Sequence, residues 1–206
     1  MAEGQPTFHI IDIRHGQAHQ GNSDIDRTLS PTGRLQGEEL KRRFTHEQLK
    51  RIRWVFTSPA KRCTQLAEIV LQGYQVAIES LEALMPFKGP MDEIFRDYGY
   101  EMGLYGQDPR HHALQIMYGQ SALYATVGMM RGRGWNPKPG EIVINFGHAV
   151  TANYKALAAS TNLWGEKRLP TFSILTHKLE EGGGIQSQFT LDGKFVDYKV
   201  FSQAAA

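Results

Sequence analysis

The chain has a single cysteine, Cys63, in 206 residues. That excludes an intrachain disulfide framework and points to a reducing compartment. No apolar run approaches the length needed to cross a bilayer, and there is no low-complexity tract or internal repeat. Met1 to Thr7 carries neither a basic n-region nor an apolar h-region, so a cytoplasmic protein is expected. Neither sign of charge dominates: 23 Lys and Arg stand against 21 Asp and Glu. The densest basic stretch, Lys41-Arg42-Arg43 to Lys50-Arg51-Ile52-Arg53, follows a helical pattern without interleaved aromatics. It reads as a solvated face, so neither nucleic acid nor membrane is an expected partner.

What is present is a succession of short apolar runs that end in polar clusters. Phe8, Ile10, Ile11 and Ile13 form a β-branched run that reads as a buried strand and stops at Arg14-His15-Gly16. Gly16 is expected to let the backbone turn there and approach a bound group. Ser30-Pro31 opens a helix carrying Leu35, Leu40, Phe44 and Leu49 down to about Lys50. Trp54-Val55-Phe56 is a second strand. Ser58-Pro59 repeats the cap-plus-proline signal before a helix that Gly73 ends. Val76 to Ile78 is a short third strand. Glu141 to Phe146 is a clear further one, ending at Gly147-His148-Ala149 and leading into a helix to about Ser160. Thr171 to Leu179 and Gln186 to Phe201 read as β-like runs, with Asp192-Gly193 as a hairpin signal.

This order predicts one α/β domain over residues 1–206, a three-layer α/β/α sandwich with a mostly parallel central sheet. The stretch at about 86–139 differs in texture, rich in Gly, Tyr, Met and Pro with a helical patch from Ala113 to Met130, and reads as an inserted cap. Its rings (Phe87, Phe95, Tyr98, Tyr100, Tyr105, Tyr118 and Tyr124) either pack the cap or receive an apolar leaving group. The apolar stripes fit a monomer or a homodimer.

In a parallel sheet the ends carrying Arg14 and His15, Ser58 and Arg62, and His148 share one edge. Two guanidiniums, two imidazoles and two helix N-termini would then converge, a combination suited to a tetrahedral oxyanion, phosphate above all. A histidine in that setting can attack phosphorus. His15 and His19, four apart in a loop with no accompanying glutamate, do not make a metalloprotease pair, so no metal and no cofactor is expected. Gln17 and His19 are placed to line the pocket. Cys63 reads as a buried structural thiol.

Four segments carry a resemblance: Arg14-His15-Gly16, Leu29-Ser30-Pro31-Thr32-Gly33, Thr57 to Gln65 and Gly147-His148-Ala149. In this order they resemble the histidine phosphatase superfamily, which includes the cofactor-dependent phosphoglycerate mutases. The resemblance implies that His15 is the nucleophile that becomes phosphohistidine. It further implies that Arg14 and Arg62 clamp the phosphoryl group and that His148 binds it too, with Ser58 and Gln17 as further phosphate-binding candidates. For the general acid, Glu82 is the first choice, with Glu79, Asp92 and Glu93 as alternatives. The implied activity is a metal-independent phosphomonoester hydrolase acting on a phosphorylated small molecule or phosphoprotein. A mutase-type phosphoryl transferase and an idle phosphate-binding relative are the alternatives.

Overall fold

The computed structural model describes residues 5–21, 23–86, 109–163 and 168–202. Element numbers below run over these residues. Strand β1 (Thr7–Arg14) lies inside a six-stranded sheet of order β3-β2-β4-β1-β5-β6. The other strands are β2 (Ile52–Thr57), β3 (Ile78–Ser80), β4 (Ile142–Gly147), β5 (Gly184–Thr190) and β6 (Phe195–Phe201). Strands β3, β2, β4 and β1 pair in parallel, β5 is antiparallel to β1, and β6 is antiparallel to β5. The mostly parallel sheet expected from the sequence is therefore present.

Strand pleating sorts the side chains between two helical layers. On one face, Ile11, Ile13, Val55 and Ile144 pack with Leu40 of α1 (Pro31–Arg43) and with Leu66 and Val70 of α3 (Lys61–Val70). On the other, Phe8, Ile10, Phe56 and Val143 pack with Leu123, Val127 and Met130 of α4 (Pro109–Gly132) and with Ala158 and Ala159 of α5 (Ala149–Ala159). Helices thus cover both faces. The chain leaves β1 towards α1 and leaves β4 towards α5, on opposite faces. The C-terminal ends of these neighbouring strands therefore form a switch-point crevice, the place where open α/β sheets bind ligands.

Several elements depart from the sequence expectation. The helix expected from Ser30 to Lys50 is two: α1 ends at Arg43, and Thr45 starts α2 (His46–Lys50) through a capping box with Gln48. That box satisfies amide groups at a new helix start, which favours the break over one continuous helix. Leu35, placed on the buried stripe, is 71 % exposed. The inner face of α1 is formed by Gly33, Gly37 and Leu40, and a Cβ at Gly37 would lie 3.0 Å from both Leu66 and Ile69. Close helix packing, not a leucine row, sets this contact. The third strand lies two residues later than read. Within Thr171 to Leu179 the structure has a 3-10 turn (Phe172–Thr176), not a strand. Asn153 of α5 donates to the carbonyls of Ile174 and His177 (3.0 and 2.8 Å), so a helix side chain takes up backbone acceptors that a sheet neighbour would otherwise use. Phe87, Asp92, Glu93, Phe95, Tyr98, Tyr100 and Tyr105 lie outside the described residues. Of the remaining cap rings, Tyr124 is 58 % exposed and Tyr118 packs beside Leu157 and Leu175.

Candidate active site

His15 follows β1 directly. Its amide donates to the Gly147 carbonyl (2.9 Å), which joins the ends of β1 and β4. Its Nδ1 lies 2.7 Å from the Gly16 carbonyl. A carbonyl only accepts, so Nδ1 carries the proton and Nε2 keeps its lone pair. Burial pushes the His15 pKa down to about 4, and the charges of Arg62 and Arg14 add to this against the Gly16 hydrogen bond. At neutral pH the ring is therefore neutral, with a free nitrogen.

Gly16 is required here for space. It does not adopt a positive φ. A Cβ there would sit 2.8 Å from the Gly33 carbonyl, and one at Gly33 would sit 2.0 Å from the Gln17 carbonyl. The two glycines let the loop after His15 lie directly on the first turn of α1. Ser30 caps that turn by accepting from the Gly33 amide (3.1 Å), and its hydroxyl donates to Gln17 Oε1 (2.8 Å). The Gln17 side chain is thus bound to the α1 cap.

His148 precedes α5, and its ring lies 5.1 Å from that of His15 at 77°. Nδ1 is 3.4 Å from Arg62 Nη2 and accepts from it, which leaves Nε2–H to donate to Ser58 Oγ (3.2 Å). Burial, then the charges of His15 and Arg62, push the His148 pKa down to about 2. The Ser58 hydroxyl in turn meets Met85 Sδ at 2.9 Å. Ser58 is not the cap of α3. That helix starts at Lys61 with Ala60 as its N-cap residue and no side-chain cap, and Ser58 Oγ accepts from the Ala60 amide (3.3 Å). The α3 terminus is not free for a ligand either, because the Lys61 and Arg62 amides donate to the Ile25 and Arg27 carbonyls (2.9 and 3.2 Å). A proline after a serine resembles a cap in sequence, but a loop from elsewhere in the chain supplies the acceptors.

The two arginines differ. Arg14 is 28 % exposed; Nη1 donates to the Leu179 carbonyl (2.6 Å), and Nη2 lies 3.9 Å from Glu181. Arg62 is 2 % exposed and holds Asp24, a residue the sequence reading missed. Its Nη2 lies 3.0 and 2.9 Å from the two Asp24 carboxylate oxygens, and its Nη1 donates to the Asp24 carbonyl. Burial pushes the Asp24 carboxyl up, but the hydrogen bonds and charge of Arg62, with His148 and Arg27, outweigh this and hold it below the usual range. Nothing in the polar loop Ser23-Asp24-Ile25-Asp26 marks Asp24 in sequence, since only folding brings it to Arg62.

Among the candidate acids, Glu82 begins a 3-10 turn (Glu82–Leu84) after β3; it is exposed, and its carboxylate makes no hydrogen bond or ion pair among the described residues. The next residues of this turn approach the site: the Leu84 carbonyl would lie 3.3 Å from a Cβ at Gly147. Glu79 is ion-paired with Arg133. Asp92 and Glu93 fall outside the described residues. Behind His148, a small cavity is bordered by Asp12, Asn145, Leu84 and Thr151. Asp12 Oδ1 accepts there from Lys155 Nζ and Asn145 Nδ2, each at 2.9 Å. Among the described residues no cluster of three or more His, Cys, Asp or Glu could hold a metal ion, and no helix is long and apolar enough to cross a membrane. Cys63 is buried beside Arg62, and burial raises its thiol to about 12, which keeps it protonated and unreactive.

Histidines and arginines gathered at the switch point of a mostly parallel sheet define an α/β protein with a candidate phosphoryl site. The family model for the histidine phosphatase superfamily (branch 1) matches residues 10–115, and the chain belongs to that superfamily. Its fold is shared with a mycobacterial glucosyl-3-phosphoglycerate phosphatase (TM-score 0.65, 15 % identity, covering 96 % of this chain and 99 % of that one). It is likewise shared with phosphoserine phosphatase from Entamoeba histolytica (TM-score 0.60, 18 % identity, 95 % of each chain) and YhfR of Bacillus stearothermophilus (TM-score 0.62, 19 % identity, 95 % and 96 %). A search of curated protein sequences finds no match.

Proposed function

We propose that this protein is a metal-independent phosphomonoester hydrolase that works through a phosphohistidine on His15. The observation that carries this reading is the state of the His15 ring. It is neutral, its Nδ1 proton is fixed on the Gly16 carbonyl, and it stands beside His148 at the end of the central strand. Its Nε2 lone pair attacks phosphorus while the P–O bond to the leaving group breaks. Glu82, as the free acid, gives its proton to the leaving oxygen. As carboxylate it then takes a proton from the water that displaces histidine from phosphorus, restoring His15 and releasing phosphate. Glu82 suits this better than Glu79, whose carboxylate is committed to Arg133. Arg14, Arg62 and His148 face the charge that spreads over the phosphoryl oxygens, with Ser58 orienting His148. Gln17 contributes through the loop that it ties to α1. Helix α4, which the sequence placed in an inserted cap at about 86–139, packs on the sheet through Leu123 and Val127. The phosphatase names among proteins of the same fold agree with a phosphorylated small molecule as substrate.

The test is hydrolysis of a generic aryl phosphate, with chelator present, by the parent and by His15→Ala. Turnover that survives the chelator and falls at least a thousandfold in the variant is expected. Turnover retained by the variant would contradict the reading.

A further inference from the structure

The guanidinium meant to grip a substrate is already occupied. Arg62 is 2 % exposed, and both oxygens of the Asp24 carboxylate sit on its Nη2 while the Asp24 carbonyl takes Nη1. Its Nε–H is buried and has no acceptor among the described residues. Asp24 itself is 49 % exposed. The two partners therefore differ in freedom. Arg62 is enclosed, whereas the carboxylate sits at the rim and can rotate into water. The backbone around it is tied down at Ile25 and Arg27 by the first amides of α3, and at Leu29 by Gln65 Oε1 (2.8 Å). Rotation of the Asp24 side chain thus frees Arg62 Nη2 without moving the loop, while Nη1 stays on the Asp24 carbonyl.

We propose that Asp24 is a resident anion in the phosphoryl seat, an internal competitor that an entering phosphoryl group must displace from Arg62 and that returns to expel inorganic phosphate. The proposal rests on the phosphoryl-site reading above. Its consequence is an affinity reduced to the fraction of molecules in which the Asp24 carboxylate is off Arg62 Nη2, and this reduction applies to every anion alike. That separates displacement from simple repulsion. A fixed spectator carboxylate would oppose a dianion with about twice the energy it opposes a monoanion. A displaced one weakens both by the same factor.

The test is calorimetric binding at pH 8 of a matched pair of unreactive anions, phenylphosphonate (dianion) and benzenesulfonate (monoanion). The proteins are the parent, Asp24→Asn, Asp24→Ala, Arg62→Lys and Arg62→Gln, each checked for folding by circular dichroism. In both Asp24 variants the two anions, and inorganic phosphate as product, should bind about tenfold tighter or more, by the same factor within about twofold. Both Arg62 variants should bind them more weakly than the parent. Unchanged or weaker binding in the Asp24 variants, with the Arg62 dependence intact, would overturn the competitor and leave the phosphoryl site standing. A gain confined to the phosphonate would make Asp24 a spectator charge and equally overturn it. If no anion binds any folded variant, the phosphoryl-site reading itself fails and takes the competitor with it.

Discussion

His15 and His148 are both held neutral by burial, and this links the site to stability. Each binds a proton in the unfolded chain near pH 6.5, but in the folded protein only near 4 and 2 respectively. Between those values the unfolded state binds more protons, so stability rises with pH and is lost as pH falls below about 6.5. The loss should approach about 1.4 kcal/mol per pH unit for each histidine. Urea unfolding followed from pH 7 to pH 5 should show it, and His148→Asn should reduce the slope by about one proton. A slope unchanged in that variant would mean that His148 is charged in the folded protein. The pair Arg14-His15 was legible in sequence because it ends an apolar run. Asp24 was not, because its partner lies 38 positions away in a different element.

At the scale of elements, the site depends on β1, β4 and α5 keeping their relative positions. Asp12 on β1, Asn145 on β4 and Lys155 on α5 form a buried polar junction behind His148, with Lys155 and Asp12 1 % and 4 % exposed. Such a pair is weak evidence of net stabilisation, yet removing one member strands a charge in the core. Lys155→Met should cost about 3–5 kcal/mol, and the double variant Asp12→Leu/Lys155→Met should recover most of it. Denaturant midpoints of the four proteins measure this, and strictly additive losses would contradict the coupling. Nothing in the sequence marks the junction: Asp12 interrupts an apolar strand, and Lys155 lies in a helix whose charged residues would ordinarily face water. The break between α1 and α2 and the 3-10 turn at Phe172–Thr176 were hidden for a similar reason. Local capping and a distant side chain, Asn153, outweighed the apolar pattern.

For the whole molecule, the architecture was legible because runs of β-branched residues alternate with helical patterns, and the crevice follows from where β1 and β4 send their chains. The closed state of that crevice was not. In the folded protein the Arg62 Nη groups, Ser58 and His148 are held by one another and by Asp24 and are buried, whereas Arg14 and His15 are partly exposed. On the function and the competitor proposed above, an anion enters, displaces the Asp24 carboxylate and meets the free nitrogen of His15. The most direct measurement of this account is trapping of the enzyme during turnover of an aryl phosphate, quenched in alkali and mapped by peptide mass spectrometry. A single phosphoryl group on His15, stable to alkali, lost in acid and absent from His15→Ala, is the predicted result. Steady turnover with no phosphoryl group on His15 at any quench time, or with the group on another residue, would contradict it.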